Sequence, residues 1–86
     1  MELCIEFNLS AFKHKISEID IRWAFDTAGY DGWFNGGEGQ TKDQYLLIGF
    51  DRNGNPLEIL YNIIDDETVN VFHAMRCRNI YLHLLR

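Results

Sequence analysis

The sequence predicts an α+β domain: two N-terminal helices, a sheet of three or four antiparallel strands, and a C-terminal helix, with the helices packed on the sheet. Three observations predict it. Ser17 opens a stretch in which Ile21, Ala24, Phe25 and Ala28 recur on one helical face. Asn53-Gly54 separates two apolar runs, as in a β-hairpin. Cys77, Ile80, Tyr81, Leu84 and Leu85 then fall on the i, i+3, i+4, i+7, i+8 stripe of a core-facing helix.

In chain order, residues 2–7 (ELCIEF) alternate polar and apolar with the period of a half-buried strand, an extended lead-in being the alternative. Asn8 can cap a short helix over LSAFKHK. Ser17 caps the second helix, whose first turn holds Glu18 and Asp20 at its positive end. Ile16 and Ile21 have the spacing of a hydrophobic staple, and Gly29 supplies the stop.

After Tyr30 the period changes. YDGWF reads as a short strand, NGGEGQTK as a flexible connection and DQYLLIGFD as a buried strand. A two-residue type I′ turn at Asn53-Gly54 would put Arg52 opposite Asn55, Phe50 opposite Leu57, Ile48 opposite Ile59 and Leu46 opposite Tyr61. A turn in DDET leads to the strand TVNVFHAM, and RCRNIYLHLLR closes the chain as a helix with Arg76, Asn79, His83 and Arg86 on its polar side. There is no internal repeat or linker, so residues 1–86 read as one domain.

Charge is segregated along this domain. All thirteen acidic residues precede Val71 together with five of the eight cations, while residues 71–86 hold three arginines and no acid, so the formal charge of −5 divides into −8 and +3. That balance argues against a broad basic nucleic-acid surface and leaves room for a local cationic patch. Cys4 and Cys77 show no paired spacing, and no secretion signal precedes them, which favours a reducing, cytoplasmic setting. The longest apolar run, YLLIGF, is far short of the roughly 18–20 residues that span a bilayer, so no membrane role is expected.

The cationic end carries the candidate chemistry. Metal-independent RNA cleavage needs a base for the 2′-hydroxyl proton, cations for the phosphoryl oxygens and an acid for the leaving oxygen. His73 ends a strand with Arg76 and Arg78 just beyond it, so a strand-to-helix corner could present all three to one phosphate. The plainer reading of His73 is a half-buried strand residue on the face of Val69 and Val71. If DDET closes with a two-residue loop at Asp66-Glu67, Leu60 faces His73, and Glu58 lies diagonal to it, where a carboxylate would orient the ring. Lys13 and His14 would add a second cationic edge, with Arg52 a further candidate for holding substrate.

Tyr81 could reach a phosphate but sits in the apolar stripe, and Trp23, Trp33 and Phe34 could stack on bases or face a protein partner. GGEGQTK lacks the Gly-Lys-Ser/Thr ending of a phosphate loop. Histidine and cysteine spacings fit no metal site, and no cofactor is expected.

The order of these features resembles a known family: Lys13-His14 near the end of a short first helix, a capped second helix, LLIGFD, the Asn-Gly hairpin and HAMRCRNIYLHLL. From about Phe7 to Leu85 the chain looks like the small BrnT-like toxins of type II toxin-antitoxin systems and their uncharacterised relatives. The resemblance implies a RelE-like fold and a ribonuclease held inactive by a cognate DNA-binding antitoxin, in a toxin-antitoxin heterotetramer or beside a homodimer. For so acidic a toxin the antitoxin should be basic. This chain departs from the family in its acidity and in having His73, Ala74, Met75 and Arg76 where the last strand commonly ends in Ser-Ala-Arg-Lys. A non-catalytic protein-binding module, or an inactive relative, is therefore the competing expectation.

Overall fold

A computed structural model describes residues 3–35 and 43–85. The connection expected at 35–42, with the phosphate-loop question attached to it, thus lies largely outside the described residues, as do Glu2 and Arg86. Six regular elements and two short helical turns follow one another: β1 (Cys4–Phe7), a 3₁₀ turn (Leu9–Phe12), α1 (Glu18–Asp26), β2 (Tyr30–Asn35), β3 (Gln44–Phe50), β4 (Pro56–Asp65), β5 (Thr68–Arg76) and the one-turn α2 (Asn79–Leu82). The α+β class holds, and the arrangement differs from the expected one in three respects.

First, the sheet has five strands in the order β1-β5-β4-β3-β2 and is mixed. Strands β2 to β5 form an antiparallel meander, and β1 joins its far edge parallel to β5, pairing Cys4 with Thr68 and Phe7 with Val71. The alternation in 2–7 was the signal of this strand; its parallel pairing needs a connection that carries the chain across the sheet, which the 3₁₀ turn and α1 supply.

Second, the first helix is reduced to a single 3₁₀ turn. Asn8 makes no side-chain cap bond, and Lys15 takes a left-handed φ of 66° that ends any helix there. Third, the C-terminal helix is only four residues long. The sheet takes the residues that would have begun it: Arg76 closes β5, and the Cys77 amide still donates to the Pro56 carbonyl. Splitting the expected stripe leaves Ile80 63% exposed and only half-buries Tyr81, Leu84 and Leu85.

Helix α1 follows its sequence from the Ser17 cap through Phe25, but it ends at Asp26, so Ala28, expected on the same face, lies beyond it and is exposed. Ser17 caps it, its Oγ accepting from the Asp20 amide at 3.2 Å, and Ile21 and Ala24 are fully buried. Gly49 of β3 makes the close approach possible, since a Cβ there would lie 2.0 Å from the Ala24 carbonyl oxygen. Leu47, Leu57, Ile59, Tyr61, Val71 and Ala74 complete the core on this helical face of the sheet.

The β3–β4 hairpin is one residue longer than expected. Asp51 pairs with Asn55, the Gly54 amide donates to the Asp51 carbonyl, and Gly54 alone in the loop has positive φ, +84°. This is a type I turn followed by a glycine bulge. The buried Asp51 carboxylate stabilises it by accepting from the Asn53 and Asn55 amides, both at 2.9 Å. The register accordingly shifts by one: Phe50 faces Pro56, Ile48 faces Glu58 and Leu46 faces Leu60. That shift moves Leu46 and Ile48 onto the face opposite α1, beside Glu58.

Two irregularities in the β4–β5 ladder cancel. After the two-residue Asp66-Glu67 loop, with Asp65 opposite Thr68, Ile64 is unpaired on β4, and farther along Phe72 is unpaired on β5. Leu60 therefore faces His73 as expected. The Phe72 bulge, however, separates His73 from the face of Val69 and Val71, because residues beyond a bulge exchange faces. His73 lies on Glu58's side.

Candidate functional site

That opposite face is closed by the C-terminal segment folding back over it. Tyr81 meets Phe34 edge-on at 5.8 Å between ring centroids, and Leu85 lies against Gly29, where a Cβ would come within 2.8 Å of its side chain. Beneath the segment Glu58 is fully buried. A carboxylate in such a place is costly unless every lone pair is used, and here all four sites find donors. Oε1 accepts from the Arg78 backbone amide and from Arg78 Nε, both at 3.0 Å. Oε2 faces Arg78 Nη2 at 2.7 Å and His73 Nε2 at 3.0 Å.

The electrostatics follow from this packing. Burial would raise the Glu58 pKa, but the Arg78 side chain, the Arg78 amide and His73 outweigh it, and the carboxyl is held below its ordinary value. Glu58 is thus an ionised acceptor with no free lone pair. It cannot itself exchange protons with a substrate; it holds the His73 ring from the diagonal position expected of it, and Arg78 besides. Burial also pushes the neighbouring Cys77 thiol up, with the Glu58 charge adding to it, which leaves a poor nucleophile.

His14 completes the cluster from the other side of β5. After β1 ends, Asn8 still donates to the Val71 carbonyl, and Ser10 Oγ donates to the Phe72 carbonyl at 2.7 Å. The bulge thereby seats the 3₁₀ turn along the edge of β5. The following turn carries His14 to His73, with ring centroids 5.5 Å apart and planes at 75°. His14 and Lys13 are exposed and His73 is half-buried, so the pair is open to solvent on the His14 side.

Two of the expected residues are elsewhere. Arg76 pairs with Leu57 and so lies on the α1 side of the sheet, one residue out of phase with Glu58 and Met75, on the face away from His73. Arg52, in the β3–β4 loop, is held by Asp20 at the start of α1, Nε to Oδ1 at 2.9 Å. Hydrogen bonds from Arg52 bring Asp20 down to about 2, and the pair fastens the hairpin to the helix. The sequence missed Ser10 and the Phe72 bulge, which bring the histidines together. A polar residue eight positions before Glu18 gives no sign of a partner 62 residues away.

Comparison with family models, with curated proteins and with solved structures finds no match to the chain. Among the described residues no helix is long and apolar enough to cross a membrane, and no three His, Cys, Asp or Glu side chains are grouped to hold a metal ion.

Proposed function

We propose that the chain is a metal-independent ribonuclease and, from its resemblance to the BrnT-like toxins, the toxin half of a type II toxin-antitoxin pair with a RelE-like fold. The observation that carries the catalytic reading is the His14–His73 pair, with His73 fixed from behind by Glu58. Two imidazoles side by side supply the base and the acid that RNA cleavage requires. One takes the 2′-hydroxyl proton as that oxygen attacks phosphorus. The phosphorus–5′-oxygen bond breaks, and the other imidazole gives its proton to the departing oxygen. The products are a 2′,3′-cyclic phosphate and a 5′-hydroxyl, and DNA, lacking the 2′-hydroxyl, is not cut. Lys13, exposed beside His14, is the nearest candidate in sequence for stabilising the phosphoryl charge.

In this reading the antitoxin covers the corner around His73 and Arg78, and because its basic charge is matched to the acidic remainder of the chain, its binding weakens with salt. Co-purification with the product of a neighbouring reading frame, followed by footprinting of that corner, tests the partnership. A complex leaving the corner open counts against it.

A second reading, a non-catalytic protein-binding module, is favoured by the saturated Glu58–Arg78 pair and by Trp33, 59% exposed on edge strand β2. Incubating the purified chain with RNA in EDTA separates the two: cleavage supports the ribonuclease, and intact RNA supports the module.

A further inference from the structure

We infer that His73 works through Nδ1, and that Glu58 and Arg78 are positioning residues which fix this tautomer without touching substrate. The inference rests on the reading of His73 as a proton-transferring group and identifies its reacting atom.

It follows from counting donors and acceptors. An ionised carboxylate only accepts. Its contact with His73 Nε2 at 3.0 Å is therefore a hydrogen bond only if Nε2 carries hydrogen, and in the neutral ring this leaves the lone pair on Nδ1. Carboxylate–histidine pairs fix imidazole tautomers in this way at metal sites and in hydrolases. Arg78 fixes the carboxylate in turn, through Nε on one oxygen and Nη2 on the other. Both Glu58 oxygens are thereby prevented from turning away from the ring. Arg78 is then occupied by Glu58, and its effect on catalysis passes through Glu58 and His73. The Arg78 amide, also on Glu58 Oε1, makes the start of the C-terminal segment part of the same clamp.

The test has a spectroscopic and a kinetic arm. In the intact chain with ¹⁵N-labelled histidine, two-bond ¹⁵N–¹H correlations at alkaline pH should show His73 as a single tautomer, with a protonated Nε2 and a pyridine-like Nδ1. Glu58→Gln should disturb that pattern and leave His14 unchanged. An Nδ1–H pattern for His73, or a tautomer mixture in the wild-type chain, overturns the inference whether or not the chain cleaves RNA. In the kinetic arm, Arg78→Lys, which keeps the charge but not the planar fork, should lower kcat several-fold while KM and the salt dependence of RNA binding stay as in wild type. A raised KM with kcat unchanged would identify Arg78 as a phosphate ligand and overturn its positioning role. If neither chain cleaves RNA, the ribonuclease reading fails alone, and the tautomer is still decided by the spectra.

Discussion

At the residue scale, Glu58 concentrates the risk in this fold: one buried carboxylate satisfied by two residues from β5 and the chain beyond it. Removing one partner of such a pair is far costlier than the pair is worth. Arg78→Ala should therefore lower the urea midpoint, because it takes two of the four donors from the buried Glu58 carboxylate, whereas Arg76→Ala, at an exposed position on the other face, should leave it nearly unchanged. Acid sensitivity has a definite sign. Because the folded pKa of Glu58 lies below its ordinary 4.5, its contribution is fully present above that value and lost as pH falls through the lower folded one. Asp20 behaves likewise between 3.8 and about 2. Unfolding midpoints recorded from pH 7 to pH 2 should fall below about pH 4.5, and Glu58→Gln should flatten the upper part of that fall. An unchanged profile in the variant would show that Glu58 is not held ionised by its neighbours.

At the element scale, the close contact of α1 with the backbone of β3 leaves no room at Gly49, so Gly49→Ala should destabilise by about 3 kcal/mol, although a one-methyl change in a strand is ordinarily mild. Gly54→Ala should cost about 1 kcal/mol and Asn53→Ala less, because only Gly54 has positive φ in the loop. The reverse order would restore the type I′ turn. These elements also show how far the sequence can be read. Local chemistry placed α1 correctly, since the Ser17 cap and the Ile21–Ala24 stripe act within a few residues. Asn-Gly announced a hairpin but not its loop length, which was decided by the Asp51 side chain bonding two loop amides. The C-terminal stripe was helical in spacing, yet β5 claimed its first residue for a ladder hydrogen bond, so pairing energy outweighed local propensity.

At the scale of the whole molecule, the two described arginines of the cationic end do not come together on one surface. Arg78 is neutralised by Glu58 and Arg76 lies on the other face of the sheet. Linear charge counting could not see either outcome, because both depend on which face a strand residue takes. The Glu58–His73 diagonal was legible from the Asp66-Glu67 loop length; it survives because the Ile64 and Phe72 irregularities offset one another. The convergence of His14 on His73 depends on the parallel edge strand and the bulge, and no local pattern encodes a contact across that distance. Among the described residues nucleic acid should accordingly meet few free cations at this site, giving a weak salt dependence of RNA affinity with a slope of about −1 to −2. Whether the paired histidines transfer protons in RNA cleavage is tested most directly by end-group analysis. The purified wild-type chain, incubated with RNA in EDTA, should yield 2′,3′-cyclic phosphate ends, while His73→Ala, shown folded by circular dichroism, should lower kcat by about 10² to 10⁴ with RNA affinity unchanged. Equal cleavage by folded wild type and His73→Ala, or intact RNA with both, would contradict that transfer.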